Sequence, residues 1–425
     1  MLWLYRLFFI PALLVIAPRY LLRMWKRGGY RTGFLQRFGG HPVLPAKTPA
    51  TRRVWLQAVS VGEVLAITPV VGALHRAGVE VYLTTTTSTA HRLARERLGP
   101  LTVGIGYFPL DWWPFSSRTW RRLNPDLAII TEGERWPEHL RQAAQRGIPV
   151  LSINARLGDR SFALLRRLPA AVRLVLEGVT RHLPASALDE SRLLALGVPP
   201  QRVTTTGNLK LDVEIPPLTP AERAQLRGEL GLPDGPVLLG SSTWPGEEAA
   251  LLAAVQQIRR AGTCCALLLV PRHAERRGEL ERWLATTGES FHFRSRGSAP
   301  GRVAIAVADT TGELRRLTQL ADIVFVGKSL APHTEGQTPV EAAALGKAIL
   351  FGSGMSNFRT IARELVGRGA ARQIDDPGAM SATVRELLED AAARARLAAA
   401  AGAWHRGNAG ATARTLDVIR EILAR

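Results

Sequence analysis

The chain has 425 residues, of which 46% are hydrophobic and 21% are charged, and it carries a formal net charge of +19. This length predicts two domains, or one long domain with an appendage, with enough apolar residues for large cores. The basic excess predicts an anionic partner: a phosphorylated ligand, a membrane surface or nucleic acid. Cys264 and Cys265 are adjacent in an apolar run, and strand neighbours point to opposite faces. Such neighbours rarely form a disulfide, so the sequence predicts reduced thiols in a reducing compartment.

Residues 1–27 form the first apolar segment. Its apolar run, residues 7–17, is shorter than the roughly 20 residues that span a bilayer. Cations follow this run instead of preceding it, which disfavours a cleaved signal peptide. The flanking residues are Arg19, Arg23, Lys26 and Arg27, with Trp3, Tyr5, Tyr20 and Trp25 at the two ends. We predict a membrane anchor, spanning or interfacial, with the remainder in the cytoplasm. The alternative is a buried first helix of a soluble domain.

From residue 28 onward, apolar runs that fit buried strands alternate with helical patterns. In the first half these runs lie at residues 54–59, 79–84, 127–131, 149–153 and 203–206. A proline-rich linker at 213–235 follows, and further runs lie at 237–240, 264–270, 303–307, 323–326, 348–351 and 371–374. In each half this alternation predicts a parallel sheet with helices on both faces.

The fold prediction is therefore α/β, with two Rossmann-like doubly wound domains, residues 28–212 and 236–425, facing each other across a cleft. Among glycosyltransferases this organisation is called GT-B. The pattern alone suits other two-lobed α/β proteins equally and supplies no function. Ligands of open α/β sheets bind beyond the carboxyl ends of the strands, so candidate functional residues are expected there.

The segment Ser60-Val61-Gly62-Glu63 follows the first predicted strand. Glu63 is the first acidic residue of the chain, and ten Lys and Arg residues precede it. The spacing of Ser60 and Glu63 fits a capping box at a helix start. Gly62 would let a ligand approach the backbone closely, and a carboxylate here could take a proton from a sugar hydroxyl. On these residues alone, helix cap and catalytic base are equally good interpretations.

Two further carboxylates, Glu132 and Glu134, directly follow the predicted strand at 127–131. Pro137 is a plausible first residue of the next helix. Acidic groups at a helix start also favour the helix dipole, so a solvated helix start remains the simpler interpretation of this segment taken alone.

Three segments of the second half also follow predicted strands or open helices. Hydroxyl and backbone N–H groups of Ser241, Ser242 and Thr243 could hold a phosphate. Arg272 is well placed for a bidentate phosphate contact. Glu341 falls in the first turn of a small-residue helix, where it could accept both hydroxyls of a ribose or simply compensate the helix dipole.

Several other chemistries are disfavoured by what the sequence lacks. No Asp-x-Asp occurs, so the metal-bridged diphosphate site of the other main glycosyltransferase architecture is missing. Neither a P-loop nor a complete dinucleotide fingerprint occurs. The arginines are too scattered, and too poor in interleaved aromatic residues, to make nucleic acid the first choice.

Taken together, these segments resemble the bacterial 3-deoxy-D-manno-octulosonic acid (Kdo) transferases of lipopolysaccharide synthesis. The resemblance covers nearly the whole chain in order, and the ordered set is more specific than any one motif. In the first half it comprises residues 30–39 (YRTGFLQRFG), 60–63 (SVGE), 108–111 (FPLD), 132–137 (EGERWP), 154–157 (NARL) and 207–212 (GNLKLD). In the second half it comprises residues 240–248 (GSSTWPGEE), 271–276 (PRHAER), 311–314 (TGEL), 336–341 and 355–359 (MSNFR).

The resemblance implies a GT-B enzyme without metal or cofactor that moves Kdo, with inversion, from CMP-Kdo to a lipid A precursor. It implies that Glu63 is the base for the acceptor hydroxyl, with Glu132 and Glu134 beside it. The residues implied for donor binding are Lys210, Ser241, Ser242, Thr243, Arg272, Gly312, Glu313, Gly336, Gln337 and Glu341. With the anchor, it implies a place on the cytoplasmic face of the inner membrane, against anionic lipids and with no nucleic acid partner.

The chain departs from the family pattern at a few places. The family's Gly-Gly-Gln/His-Asn turn is here Glu335-Gly336-Gln337-Thr338, and Trp244 stands where a His is common. The family's Glu-Thr-Glu-Leu-Trp-Pro is EGERWP, residues 132–137. These changes leave two alternatives open: a GT-B transferase that uses another sugar nucleotide, and a nucleotide-binding, membrane-associated paralogue without turnover.

Overall fold

The computed structural model describes residues 1–26, 33–48 and 50–424. The chain divides into two compact units. The first comprises Met1–Asp212 together with the chain from Gly410 onward, and the second comprises Val213–Ala409. Arg27, at the end of the predicted anchor, and residues 28–32, where the predicted first domain and the 30–39 motif begin, lie outside the described residues.

The first unit is built on one parallel sheet. Its strands are β1 (Arg53–Ala58), β2 (Glu80–Thr85), β3 (Gly104–Tyr107), β4 (Leu127–Thr131), β5 (Val150–Ala155) and β6 (Arg181–Pro184). Their order in the sheet is β3-β2-β1-β4-β5-β6, and every neighbouring pair is parallel. All residues of β1, β4 and β5 are buried, because helices cover both faces of the sheet.

The helices that precede and connect these strands are α1 (Leu2–Lys26), α2 (Val61–Arg76), α3 (Ser88–Leu98), α4 (Trp113–Leu123), α5 (Pro137–Gln145), α6 (Asp159–Arg167), α7 (Pro169–Leu176) and α8 (Ala187–Ala195). Hydroxyl side chains at the N-cap start three of them: Ser60 for α2, Thr87 for α3 and Ser186 for α8. A 3₁₀ turn, Leu209–Leu211, closes this part of the chain.

The second unit contains a seven-stranded parallel sheet. Its strands are β7 (Val237–Thr243), β8 (Ala266–Pro271), β9 (Phe291–Phe293), β10 (Ile305–Val307), β11 (Ile323–Val326), β12 (Ala348–Gly352) and β13 (Arg372–Ile374). The strand order is β13-β12-β11-β7-β8-β10-β9.

The remaining helices are α9 (Pro220–Glu229), α10 (Glu247–Arg260), α11 (Arg277–Ala285), α12 (Leu314–Leu317), α13 (Val340–Ala344), α14 (Arg359–Gly367), α15 (Pro377–Glu389), α16 (Ala391–Asn408) and α17 (Ala411–Leu423). Of these, α9 to α16 belong to the second unit, whose core is formed by apolar residues of β7, β8 and β10 to β12 packed against α10 and α15.

Helix α17 returns to the first unit. Its apolar side chains Leu416, Val418 and Ile419 join the core cluster formed by α2 and the first sheet. The Asp212 carboxylate accepts hydrogen bonds from the N–H groups of Gly410, at 2.8 Å, and Thr412, at 2.7 Å. The two points at which the chain passes between the units are therefore joined by one side chain.

Each sheet has a topological switch point, where consecutive connections leave a central strand in opposite directions. In the first sheet it lies between β1 and β4, and in the second between β7 and β11. Ligands of doubly wound folds bind beyond the carboxyl ends of the strands at such points. Glu63 and Glu132 follow β1 and β4, and Ser241 to Thr243 end β7. In each unit, the strand order therefore brings these predicted site residues to the switch point.

Several sequence predictions are corrected. Residues 203–206 do not form a strand; Val203 makes only an isolated bridge to His182, while the polar strand β6 lies next to β5. Strands β3 and β9 were also not predicted. The second domain was predicted as 236–425 after a linker at 213–235, but that segment contains α9 and belongs to the second unit, which ends at Ala409.

The predicted anchor is helical over its described length, as α1. No helix among the described residues is long and apolar enough to cross a membrane. Helix α1 is attached to the first unit by polar contacts. The Tyr5 hydroxyl donates to Asp111 at 2.7 Å, and the Arg6 guanidinium donates to both oxygens of Glu138, at 2.7 and 2.9 Å.

Candidate active site

Glu63 lies at the switch point of the first unit. The Ser60 hydroxyl oxygen accepts a hydrogen bond from the Glu63 N–H at 3.3 Å and caps α2. In return, the Glu63 carboxylate accepts from the Ser60 hydroxyl at 2.8 Å and from the Val59 N–H at 2.9 Å. This turn is half of a capping box, because the carboxylate reaches Val59 instead of the N–H of Ser60 itself. The same residues therefore start the helix and orient the carboxylate.

Thr131, the last residue of β4, supplies a third donor to this carboxylate. Its hydroxyl donates to Glu63 Oε2 at 2.5 Å. Thr131 is 1% exposed and Glu63 is 7% exposed. Three donors from two neighbouring strand ends fix one orientation of the carboxylate. A proton acceptor that is preorganised in this way needs little rearrangement during a reaction.

Glu132 is engaged differently. Its backbone has a positive φ of 52°, and its carboxylate forms an ion pair with Lys210. The Asn154 side chain donates to Glu132 at 3.3 Å, while its carbonyl oxygen accepts from the Leu209 N–H at 3.0 Å. Asn154 thereby connects Glu132 to the 3₁₀ turn that carries Lys210. The sequence did not single out Asn154 by itself, although it lies within the NARL motif.

Lys210 was predicted among the donor-binding residues, and the structure places it in the first unit with the carboxylates. A Cβ atom added to Gly62 would lie 3.8 Å from the Lys210 ammonium nitrogen. The Ser60–Glu63 turn, Glu132 and Lys210 are therefore neighbours. Gly62 leaves this part of the turn open, because any side chain there would contact the lysine.

Glu134 is the third carboxylate of this group. Burial, and then the charges of Glu63 and Glu132, raise the pKa of Glu134 to about 7, against the opposing effects of Trp136 and Arg135. Neighbouring like charges disfavour simultaneous ionisation. Near neutral pH, Glu134 can therefore exchange a proton, while Glu132 is held in its ion pair.

The end of β7 carries the predicted phosphate-binding residues of the second unit. Ser241 and Thr243 are buried, and Ser242 between them has a positive φ of 54°. Among the described residues, no group hydrogen-bonds to Thr243 Oγ1. A buried hydroxyl without a partner is unusual in a folded protein, so its hydrogen-bonding capacity is available to a ligand.

Arg272 directly follows β8 and is joined to β7 through its backbone. Its N–H donates to the Thr243 carbonyl at 3.1 Å. The side chain is exposed, and no described carboxylate lies within ion-pair distance of it. Arg276, one helical turn further, instead pairs with Glu248 at 2.7 Å and with Glu279 at 2.8 Å. Of these two arginines, Arg272 is the one whose charge can serve an anion.

The two acidic residues predicted for the nucleoside differ in their surroundings. The Glu313 carboxylate accepts hydrogen bonds from Nε and Nη2 of Arg294, each at 2.8 Å, and a further hydrogen bond from the Thr310 hydroxyl. These partners lower the pKa of Glu313, the Arg294 hydrogen bond being the largest cause. Glu341 Oε1 lies 3.7 Å from Arg315, and no described group hydrogen-bonds to its buried Oε2. Glu341 thus retains an acceptor for a ligand hydroxyl.

Three further predicted residues lie in turns. Gly312 has a φ of +88° and open space around it. Gly336 has a φ of +70°, and a Cβ there would lie 2.5 Å from the sulfur of Met355, so the turn requires glycine. The Gln337 N–H donates to the Gly327 carbonyl at 3.0 Å, which places this turn beside the residues that follow β11.

Glu247 was not predicted as a site residue, although it lies within the GSSTWPGEE motif. Its carboxylate is 1% exposed and accepts four backbone N–H groups. The donors are Trp244 at 2.9 Å, Lys328 at 2.8 Å, Ser329 at 2.9 Å and Leu330 at 3.1 Å. One buried carboxylate therefore joins the loop after β7 to the loop after β11.

Backbone conformation also marks these strand ends. Of the non-glycine residues with positive φ that the structure describes, four lie within two residues of the carboxyl end of a strand at or beside a switch point: Glu132, Asn154, Ser242 and Lys328. Such conformations cost of order 1–3 kcal/mol and cluster at functional sites. Within the described ranges, no group of three or more His, Cys, Asp or Glu side chains could hold a metal ion. Metal independence itself stays a prediction.

Comparison with solved structures identifies the class of fold. The chain is similar to UDP-GlcNAc 2-epimerase from Neisseria meningitidis bound to UDP-GlcNAc, with a TM-score of 0.57 at 14% identity over 88% of this chain and 99% of that one. It is similar to a glycosyltransferase from Rickettsia africae with a TM-score of 0.56 at 12% identity over 88% and 99% of the two chains. These likenesses establish two parallel-sheet α/β domains of the GT-B type.

Sequence relatives identify the family. The family described as 3-deoxy-D-manno-octulosonic-acid transferase (kdotransferase) matches residues 31–213. The 3-deoxy-D-manno-octulosonic acid transferase of Bordetella pertussis is 34% identical over 97% of this chain and 98% of its own length. That of Haemophilus influenzae is 30% identical over 98% and 95%. The chain therefore belongs to the Kdo transferase family of glycosyltransferases.

Proposed function

We propose that this protein transfers Kdo from CMP-Kdo to a hydroxyl of a lipid A precursor, with inversion at the anomeric carbon. The observation that carries the proposal is Glu63, a nearly buried carboxylate held by Val59, Ser60 and Thr131 at the switch point of the first unit. Family membership supports Kdo as the sugar, and the resemblance supports CMP-Kdo as its donor.

The proposed reaction is a single displacement. Glu63 accepts the proton of the acceptor hydroxyl while the acceptor oxygen bonds to the anomeric carbon of Kdo. The bond from that carbon to the phosphate oxygen breaks, and its electron pair leaves with CMP. Attack from the face opposite the leaving group inverts the configuration. The charge that develops on CMP favours a cation, a role assigned to Arg272 in this proposal.

The polar groups of the second unit support a nucleotide-binding role. Arg272 has no described carboxylate partner, so it can take a phosphate. Ser241, Ser242 and Thr243 add hydroxyl and backbone donors beside it, and Glu341 Oε2 can accept from a ribose hydroxyl. In this proposal Gly312, Glu313, Gly336 and Gln337 shape the nucleoside pocket. No metal or cofactor takes part.

We also propose that α1 binds the cytoplasmic face of an anionic inner membrane. Its side chains Trp3, Phe8, Leu14 and Val15 are 63–78% exposed. Cations flank this apolar segment in the sequence, and each basic residue near an anionic surface contributes about 1 kcal/mol. Tyr5 and Arg6 attach the helix to the first unit. The expected result is that the protein sediments with phosphatidylglycerol vesicles but not with phosphatidylcholine vesicles. A protein that sediments with neither kind of vesicle would contradict the proposal.

The experiment that tests the enzymatic proposal supplies the purified protein with CMP-Kdo and a tetra-acylated, bis-phosphorylated disaccharide acceptor. The expected result is an acceptor whose mass increases by whole Kdo residues, with release of CMP. A parallel reaction contains UDP-sugars in place of CMP-Kdo. Turnover with a UDP-sugar alone would assign the protein to another sugar nucleotide and end the Kdo proposal.

A further inference from the structure

Lys328 lies at the switch point of the second unit, directly after β11 and Gly327. It is one of only five lysines in a chain with 55 basic residues. Its φ is +57°, a left-handed conformation that a long side chain rarely adopts. A glycine would occupy this position without strain, so the lysine side chain is retained at a cost of about 1 kcal/mol or more.

The backbone of Lys328 is fixed on both sides. Its N–H donates to the buried carboxylate of Glu247 at 2.8 Å, and its carbonyl accepts from the Gly336 N–H at 2.7 Å. A Cβ on the preceding Gly327 would lie 2.4 Å from the Ser242 carbonyl oxygen, so the two strand-end loops touch directly. Lys328 therefore lies between two segments predicted to bind the donor.

The Lys328 ammonium contacts two residues at which the chain departs from the family pattern. It lies 4.2 Å from the centre of the Trp244 ring and 3.2 Å from Glu335 Oε1. Its side chain is 19% exposed, and that of Glu335 is 42% exposed. Two departures that look independent in the sequence thus meet at one cation. Glu335 is solvated enough to exchange for another carboxylate at modest cost.

A sugar acid donor carries a carboxylate in addition to its phosphate. Arg272 and the hydroxyl residues of β7 are suited to the phosphate, which leaves the sugar carboxylate in need of its own cation. Lys210 is the other lysine predicted to bind the donor, but it lies in the first unit and is paired with Glu132. Within the donor-binding segments of the second unit, Lys328 supplies a cation next to Ser242 and Gly336.

We propose that the Lys328 ammonium binds the carboxylate of the sugar acid donor, with Trp244 holding the ammonium in place and Glu335 occupying it until the donor binds. This assignment rests on the proposed function, because it presupposes a CMP-linked sugar acid. It adds a specificity-determining residue: a neutral sugar would leave Lys328 paired with Glu335 and would gain nothing from it.

Equilibrium binding tests the assignment, since CMP has the phosphate and nucleoside of CMP-Kdo but lacks the carboxylate. In Lys328→Met, we expect the Kd for CMP-Kdo to rise at least about tenfold, the loss of a charge-assisted hydrogen bond, while the Kd for CMP is unchanged. Lys47→Met, which removes the Lys47–Asp126 ion pair in the first unit, is the matched control and should change neither Kd.

Glu335→Gln distinguishes a role of Lys328 in binding the donor carboxylate from a purely structural role in its loop. If Lys328 receives the donor carboxylate, removal of the competing carboxylate should lower the Kd for CMP-Kdo about two- to fivefold, which is a small electrostatic effect at a part-exposed pair. If Lys328 only braces the loop, both variants should weaken CMP and CMP-Kdo alike, and that result would overturn the proposal. An unchanged ratio of the two Kd values in Lys328→Met would overturn it as well.

The failure of the proposed function has a different signature. Wild-type protein that forms no Kdo product, yet binds CMP-Kdo more tightly than CMP in a manner that depends on Lys328, would refute the transferase proposal and support this site. Wild-type protein that forms product with the same Kd ratio as Lys328→Met would do the opposite.

Discussion

The two switch points use polar side chains in contrasting ways. In the first unit, Glu63 is held by three donors and Glu132 by Lys210 and Asn154, so both carboxylates have partners before any substrate arrives. In the second unit, Thr243 Oγ1 and Glu341 Oε2 have no described partner. A reacting group benefits from being fixed in advance, whereas a binding site must keep hydrogen-bonding capacity for its ligand. The difference between the units thus matches a division between chemistry and donor binding.

Removal of the fixed carboxylate should have the largest effect. In Glu63→Gln, we expect kcat to fall about 10²- to 10⁴-fold, because the amide cannot accept the acceptor proton, while the Kd for CMP is retained. Steady-state kinetics and CMP titration measure the two quantities. Glu96→Gln, at an exposed position on α3, is the control. Unchanged turnover in Glu63→Gln would contradict the assignment of Glu63 as the base.

The two arginines of the second unit should separate catalysis from stability. In Arg272→Met, kcat/KM should fall about 10²- to 10³-fold with little change in the free energy of unfolding, because its charge has no described carboxylate partner. In Arg276→Met, unfolding should become about 3 kcal/mol easier, since Glu248 would be left buried and unpaired. Urea denaturation and kinetics on both variants test this pairing. If the two variants lost activity to the same extent and were equally stable, this separation of roles would be contradicted.

Thr131 tests whether preorganisation matters at Glu63. Thr131→Val removes one hydrogen bond to the carboxylate without adding bulk, and we expect kcat to fall about tenfold with KM unchanged. Thr131→Ser retains the hydroxyl and should restore most of kcat. If both variants lose activity equally, packing at this position, rather than the hydrogen bond, is responsible.

The smallest effect concerns pH. The pKa of Glu134 rises from its ordinary value of 4.5 to about 7 in the folded protein, so between these values the folded state binds more protons than the unfolded state. The contribution of Glu134 to stability therefore falls as pH increases from about 4.5 to about 7 and is constant above that range. Glu134→Gln removes this loss. The unfolding free energy of the variant minus that of the wild type should therefore be about 1–2 kcal/mol larger at pH 8 than at pH 5. Denaturation of both proteins at the two pH values measures it, and a parallel pH dependence would refute the assignment.

Much of the fold follows from burial on both faces of the central strands. Strands β4 and β8 are almost entirely apolar, and β1 and β7 each contain an apolar run, so the sequence predicts these four strands well. Strand β3 contains Gly104 and Gly106, and β6 contains Arg181 and His182, so neither has the apolar pattern of a buried strand. Their place in the sheet depends on pairing with β2 and β5, which lies outside any local window.

The same distinction between local sequence and long-range contacts applies to the candidate site. The strand-end position of Glu63, Glu132 and Arg272 could be predicted, because it depends only on where strands stop. Their partners could not, because the Lys210–Glu132 pair joins residues far apart in the chain. Lys328 is the clearest example. Its conformation and its contacts with Trp244 and Glu335 depend on two loops that meet only in the folded sheet.

The return of α17 to the first unit has a consequence for the order of folding on the ribosome. All strands of the first sheet lie before residue 213, yet Leu416, Val418 and Ile419 complete its core from the opposite end of the chain. The second unit, by contrast, is contiguous and ends at Ala409. A nascent chain can therefore complete the second unit first. Until α17 emerges, the first unit keeps an uncovered apolar surface.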